Sequence, residues 1–155
     1  MRASQMPNIL IFLVDQFPAA YAEPESACIC PNIQRLAQEG VRFSQTYGPS
    51  PHCCPARATF MTGLYPSRHG VWNNVGSVTC HSRGLKPGTR SFSQELALAG
   101  YNLAYAGKWH VSAEQTPKDF GWQELTPASV KEPVSLIQRF LAQTAGKDES
   151  GKTQR

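Results

Sequence analysis

The sequence predicts an α/β layer fold, and three observations predict it. A continuous apolar run rich in β-branched residues, Asn8-Ile-Leu-Ile-Phe-Leu-Val14, lies near the start of the chain. Helix-period segments bounded by Pro and Gly follow it. A second buried-type strand, Tyr101 to Ala106, comes after a Ser-capped helix. Runs that are apolar on both faces are typical of parallel sheets covered by helices. Alternation of such strands with amphipathic segments is the pattern of a layered α/β domain.

Each element has a local reason. Pro31 suits the first position of a helix, where a missing N–H costs nothing. Ile33, Leu36 and Ala37 then share one face, and Gly40 ends the segment. A short strand is expected from Val41 to Tyr47. Pro49, Pro51 and Pro55 punctuate a tight loop, and Ala56 to Leu64 is expected to be a short helix starting near Cys53 and Cys54. Residues 65 to 90 read as loop, with Gly70, Gly76, Gly84 and Gly88. Ser91 or Ser93 can cap the next helix, which Gly100 stops. A final helix is expected from Pro133 to Gln143. The polar stretch 146–155 reads as a disordered tail, which leaves 1–145 as one domain.

Composition excludes several classes. At 155 residues, 41% hydrophobic and 17% charged, the chain can bury a core and is neither fibrous nor disordered. The formal charge is +4, but Lys and Arg are scattered, so no nucleic-acid surface is expected. The run Ile9 to Val14 ends in Asp15 and is too short for a signal core or a membrane span, so no membrane association is expected and the cytoplasm is the default compartment. Five cysteines cannot all pair within one chain.

The candidate chemistry gathers at predicted strand and helix ends. Asp15 ends the first strand, Lys108 to His110 follow the second, and Cys53 stands at a loop-to-helix junction. In open α/β sheets such positions converge on the ligand crevice. A thiol at a helix start sits near unpaired N–H groups and the positive end of the helix dipole, a setting that favours a thiolate and also welcomes an oxyanion. Arg57, one turn on, adds a fixed charge. A nucleophile facing an anion is the reading that results.

Cys54 is expected to be a buried apolar thiol. Cys28, Cys30 and Cys80 lack metal-site spacing and are read as ordinary thiols. His52, His69 and His81 are read as loop or packing residues, and Trp72, Trp109 and Trp122 as core or pocket walls.

Cys53-x-Pro55-x-Arg57, followed by four residues and Thr62-Gly63, resembles the signature of the type I sulfatases, with Ala56 where that family usually has Ser. Three more segments are similar to the family in order: Pro31-Asn-Ile-Gln-Arg-Leu-Ala-Gln-Glu-Gly-Val-Arg-Phe43, Leu64-Tyr-Pro-Ser-Arg-His-Gly70 and Gly107-Lys-Trp-His110. The resemblance covers roughly residues 7–122. Four motifs in order are far more specific than one.

The resemblance implies an alkaline-phosphatase-like α/β fold, of which this chain would be the N-terminal part. It also implies a sulfuric ester hydrolase. Cys53 would be oxidised to formylglycine by the family's formylglycine-generating enzyme and would serve as nucleophile and metal ligand. Asp15 would be a metal ligand, Arg57 would hold the formylglycine hydrate, Lys108 would bind sulfate oxygens and His110 would hydrogen-bond the hydrate. Asn74 matches, by approximate spacing, a substrate-contacting asparagine. The implied metal is a divalent cation, calcium first, with manganese and magnesium as alternatives. The implied substrate is a small-molecule sulfate ester.

One departure alters the expected site. Many sulfatases carry two adjacent aspartates where this chain has Asp15-Gln16, so Gln16 would contribute a neutral oxygen to the metal. The same pair resembles the choline-sulfatase and phosphonate-monoester-hydrolase branch. A phosphonate or phosphodiester hydrolase is therefore the alternative activity, and a catalytically inactive truncated remnant is the alternative from a different class.

Overall fold

The computed structural model describes residues 6–76, 78, 81–125 and 134–144. The chain separates into two compact units, Met1–Thr46 and Tyr47–Arg155.

In the first unit a short 3₁₀ helix, Ala19–Ala22, precedes helix α1, Pro31–Glu39. Helix α1 forms where Pro31 and the apolar face predict it. It buries no residue fully. The segment Asn8 to Val14 is not a strand, contrary to its composition. Leu10 is 75% exposed and Phe12 87% exposed. A central strand exists only through ladder hydrogen bonds to neighbours on both sides, and among the described residues none pairs with this run. The strand expected from Val41 to Tyr47 is likewise absent for want of a partner, leaving Val41, Phe43 and Tyr47 exposed. An ion pair between Arg42 and Glu23 and an edge-to-face contact of Phe17 with Tyr21 at 5.8 Å hold parts of the unit together.

The second unit contains every fully buried apolar side chain among the described residues. Helix α2, Cys53–Thr62, supplies Cys54, Ala58 and Met61 to that core. It starts at Cys53, where the sequence places the start, and ends at Thr62 rather than at the expected Leu64. Gly63 ends it in the left-handed region at φ 68°, its N–H donating to the Thr59 carbonyl at 2.8 Å, a conformation glycine adopts without Cβ strain. The stretch read as loop contains one more helical turn, α3, Pro66–His69. Helix α4, Phe92–Leu98, has Ser91 as its cap, and the Ser91 N–H donates to Gln94 Oε1 at 3.0 Å in a capping box.

The strand expected over Tyr101 to Ala106 shrinks to β1, Ala104–Tyr105, paired in parallel with β2, Gln123–Glu124. The connection between them passes through a 3₁₀ turn, Pro117–Phe120. Helix and parallel strand thus occur in the α/β arrangement, with little of the sheet present. Helix α5, Val134–Thr144, forms as the final helix. Pro133, Cys80 and the tail 146–155 lie outside the described residues.

Aromatic rings bind the second unit. Phe60, Phe92, Trp122, Tyr105, Trp109 and Phe120 touch in succession, with centroid separations of 5.8, 6.0, 5.7, 5.4 and 5.4 Å. Each such contact contributes about 0.5–1.5 kcal/mol beyond area burial. Trp109 is a core residue and Trp122 packs half-buried against the core, as expected, whereas Trp72 is 63% exposed. Its neighbours Val71 and Val75 fill the core positions of that loop instead.

Candidate active site

The site is built around the N-terminus of α2. His52 is the N-cap, in an extended conformation, and its carbonyl accepts from Ala56 N–H at 3.1 Å. Cys53 is the first helical residue and is half-buried. Pro55, in the first turn, has no N–H to satisfy. Cys54 is fully buried, and its Sγ accepts from Val75 N–H at 3.2 Å. The adjacent cysteines therefore differ as expected: one thiol reaches the helix start and the other is core.

Asn74 closes this helix end from a distant loop. Its Oδ1 accepts from Cys54 N–H at 3.1 Å, and its own N–H donates to Asn73 Oδ1 at 2.8 Å. A carboxamide oxygen on an N-terminal helical N–H does the work of a capping side chain, although it comes from 20 residues away. The spacing that suggests a substrate contact thus leads to a residue at the Cys53 helix end whose oxygen is engaged by the backbone.

Arg57 joins α2 to the Lys108 segment. It is 8% exposed, and its Nη1 donates to the Lys108 carbonyl at 2.8 Å. Tyr105 Oη donates to the same carbonyl at 2.6 Å. Trp109 is buried, with Nε1 donating to the Gln115 carbonyl at 2.8 Å, and Val111 is fully buried. Lys108 itself is exposed and His110 half-buried. His110 adopts a left-handed backbone at φ 52°, rare for a residue with a side chain. Such outliers persist where surrounding structure over-determines them, and they cluster at functional sites. Burial pushes the Tyr105 hydroxyl up, opposed by the nearby Arg57 guanidinium.

The far end of α2 is fixed by His69, which packs as expected. It is fully buried, its Nδ1 accepts from Val71 N–H at 3.1 Å, and its Nε2 meets Thr59 Oγ1 at 3.0 Å. An accepting Nδ1 puts the proton of the neutral ring on Nε2, which donates to Thr59. Burial lowers the His69 pKa, and the charge of Lys86 lowers it further.

Hydrogen bonds therefore bring together the Cys53–Cys54 helix start, Asn74, Arg57 and the Lys108–His110 segment. Asp15 and Gln16 belong to the other unit, on an exposed turn where Gln16 has a left-handed φ of 52°. They offer two oxygen-bearing side chains, where calcium takes six to eight ligands. Among the described residues no group of three or more His, Cys, Asp and Glu is placed to hold a metal ion. Tyr105 carries no signal in the sequence, because its partner is fixed by tertiary packing.

Residues 7–134 match the profile of the Sulfatase family. The chain belongs to the sulfatase family. Human steryl-sulfatase is 38% identical over 117 residues, covering 70% of this chain and 20% of its own length. A choline-sulfatase from Rhizobium meliloti (strain 1021) is 34% identical over 134 residues, covering 75% and 24%. A solved sulfatase structure from Bacteroides fragilis is 31% identical, covers 64% of this chain and 21% of that one, and gives a TM-score of 0.49. The chain thus spans 20% to 24% of the length of these two curated sulfatases. Among the described residues no helix is long and apolar enough to cross a membrane.

Proposed function

We propose that this chain carries the nucleophile-bearing part of a sulfuric ester hydrolase, with Cys53 as the residue converted to formylglycine. The observation that carries this reading is the position of Cys53. It is the first residue of a helix, inside a Cys-x-Pro-x-Arg motif, within the segment that matches the sulfatase family.

Conversion by a formylglycine-generating enzyme would replace the thiol by an aldehyde, whose hydrate supplies an oxygen nucleophile for sulfur. The chain's own residues have separate tasks. The start of α2 presents the positive end of its dipole to an oxyanion, while Asn74 holds the Cys54 N–H. Lys108, exposed at its anchored turn, supplies a positive charge that opposes the build-up of negative charge on sulfate oxygens. His110 accepts or donates a proton at the side chain of residue 53. Arg57 fixes the Lys108 backbone through its carbonyl and keeps a cation close to α2. Asp15 and Gln16 would contribute oxygen ligands to a divalent cation, with calcium as the first choice and manganese or magnesium as alternatives. Calcium would need further oxygen ligands beyond these two.

The named relatives act on different alcohols, a steroid and choline by their names, so no alcohol is carried over. Gln16 in place of a second aspartate lowers the negative charge expected at the metal. It favours a second reading, hydrolysis of a phosphonate or phosphodiester at the same residue 53.

Mass spectrometry tests the proposal. After co-expression with a formylglycine-generating enzyme, the tryptic peptide Phe43–Arg57 should lose the elements of hydrogen sulfide and gain one oxygen, at position 53 and not 54. An unmodified Cys53 under conditions that convert a control sulfatase would overturn it.

A further inference from the structure

The Cys28-Ile29-Cys30 segment has no part in the site above. The two Sγ atoms lie 3.5 Å apart in mutual hydrogen-bond contact, and both residues are half-buried. Their backbones are held from opposite sides. Cys28 N–H donates to Ser26 Oγ at 3.1 Å, and Ser26 N–H donates to the Glu23 carbonyl at 3.1 Å. Cys30 is the N-cap of α1, where its carbonyl accepts from Gln34 N–H at 3.0 Å and Pro31 fixes the next φ. Ile29 between them is 87% exposed, so solvent reaches the segment. The hydrogen bond with Cys28 pushes the Cys30 thiol up, and burial adds to it. No third Cys, His, Asp or Glu joins the pair into a metal site among the described residues, which leaves two thiols and each other.

We infer that Cys28 and Cys30 form a reversible dithiol–disulfide pair that reacts by exchange with small-molecule disulfides. One thiolate attacks a sulfur of the external disulfide, forms a mixed disulfide and expels one thiolate. The second cysteine then attacks the Sγ of the first, closes the internal S–S bond and expels the other thiol. Two cysteine thiols and one external disulfide become one internal disulfide and two external thiols. The closed loop is too short to constrain the unfolded chain strongly. A bond of this kind is readily reduced again, which is the property of a switchable rather than a structural disulfide.

Tryptic cleavage isolates the pair, because the peptide Ala3–Arg35 holds Cys28 and Cys30 and none of the other cysteines. The purified full chain is equilibrated in mixtures of reduced glutathione and glutathione disulfide, quenched with acid, alkylated and digested. The expected oxidised peptide is two hydrogen atoms lighter than the dithiol and takes up no alkyl group. Cys28→Ser should instead carry one glutathione on Cys30. The folded chain should reach half-oxidation at about a tenfold lower disulfide-to-thiol ratio than the same chain in urea, because the fold holds the sulfurs together. A wild-type peptide found mainly as glutathione adducts, cross-linked to another cysteine peptide or still dialkylated would overturn the inference. So would equal oxidation in folded and unfolded chains. None of these outcomes depends on Cys53 or on sulfatase activity.

Discussion

Cys53 and Cys54 are neighbours in sequence and opposites in environment, and the difference sets what each substitution should do. Cys53→Ala should abolish conversion to formylglycine and leave stability within about 0.5 kcal/mol, since the thiol is half-buried at a helix start. Cys54→Ala should leave conversion intact and lower stability by about 1 kcal/mol, because it removes a packed sulfur that accepts from Val75 N–H. Peptide mass spectrometry and urea unfolding separate the two. His69 gives a prediction in pH. Its folded pKa lies below the unfolded value, so the unfolded chain takes up the proton first. The stability associated with neutral His69 is therefore present above the ordinary imidazole value of about 6.5, and is lost as pH falls through it toward the lower folded value. Thermal unfolding of the wild type between pH 7.5 and 5 should fall more steeply than that of His69→Gln. Equal slopes would mean that His69 does not titrate differently in the folded state. The sequence reads His69 only as a loop or packing residue, and its contacts with Thr59 and Val71 are not legible there, because they are set by burial.

At the scale of elements, α2 is secured at its start by a residue from another loop and along its length by a turn distant in sequence. Asn74→Ala should cost about 1 kcal/mol, the usual effect of losing a helix cap, with Asn74→Asp costing less. Chemical denaturation reads both. Arg57 and Tyr105 donate to one acceptor, the Lys108 carbonyl. Their effects should not add. A double-mutant cycle of Arg57→Ala and Tyr105→Phe should show a coupling of about 0.5–3 kcal/mol, and strict additivity would mean that the two donors act independently. Helices are the most legible elements. Pro31 and Ser91 mark starts by backbone chemistry that acts locally, so α1 and α4 fall close to where the sequence puts them, and α2 starts near Cys53 as expected. Strands are not legible in the same way. Asn8 to Val14 has the composition of a central strand, but a ladder is a property of two segments, and hydrophobicity alone cannot supply the second. The site follows the same rule: Cys53, Arg57, Lys108 and His110 stand out by motif, whereas Tyr105 and the helix-closing role of Asn74 depend on contacts across long stretches of chain.

For the whole molecule, apolar surface is the dominant physical fact of the first unit. Leu10, Phe12, Ile29, Val41 and Phe43 are each at least 75% exposed. Surface of that kind favours association with other chains. The pair Leu10→Glu and Phe12→Glu should raise the concentration at which the purified chain stays monomeric in sedimentation, without changing the unfolding midpoint of the second unit. The second unit also reports on itself by light. Six aromatic side chains in sequential contact, two of them tryptophans, give coupled near-ultraviolet transitions whose rotational strength exists only while the rings keep fixed mutual angles. Trp72, open to solvent, contributes red-shifted fluorescence that barely responds to packing. Circular dichroism at aromatic wavelengths therefore reads the order of the scaffold behind Arg57 and Lys108, whereas emission from Trp72 reads only the solvent.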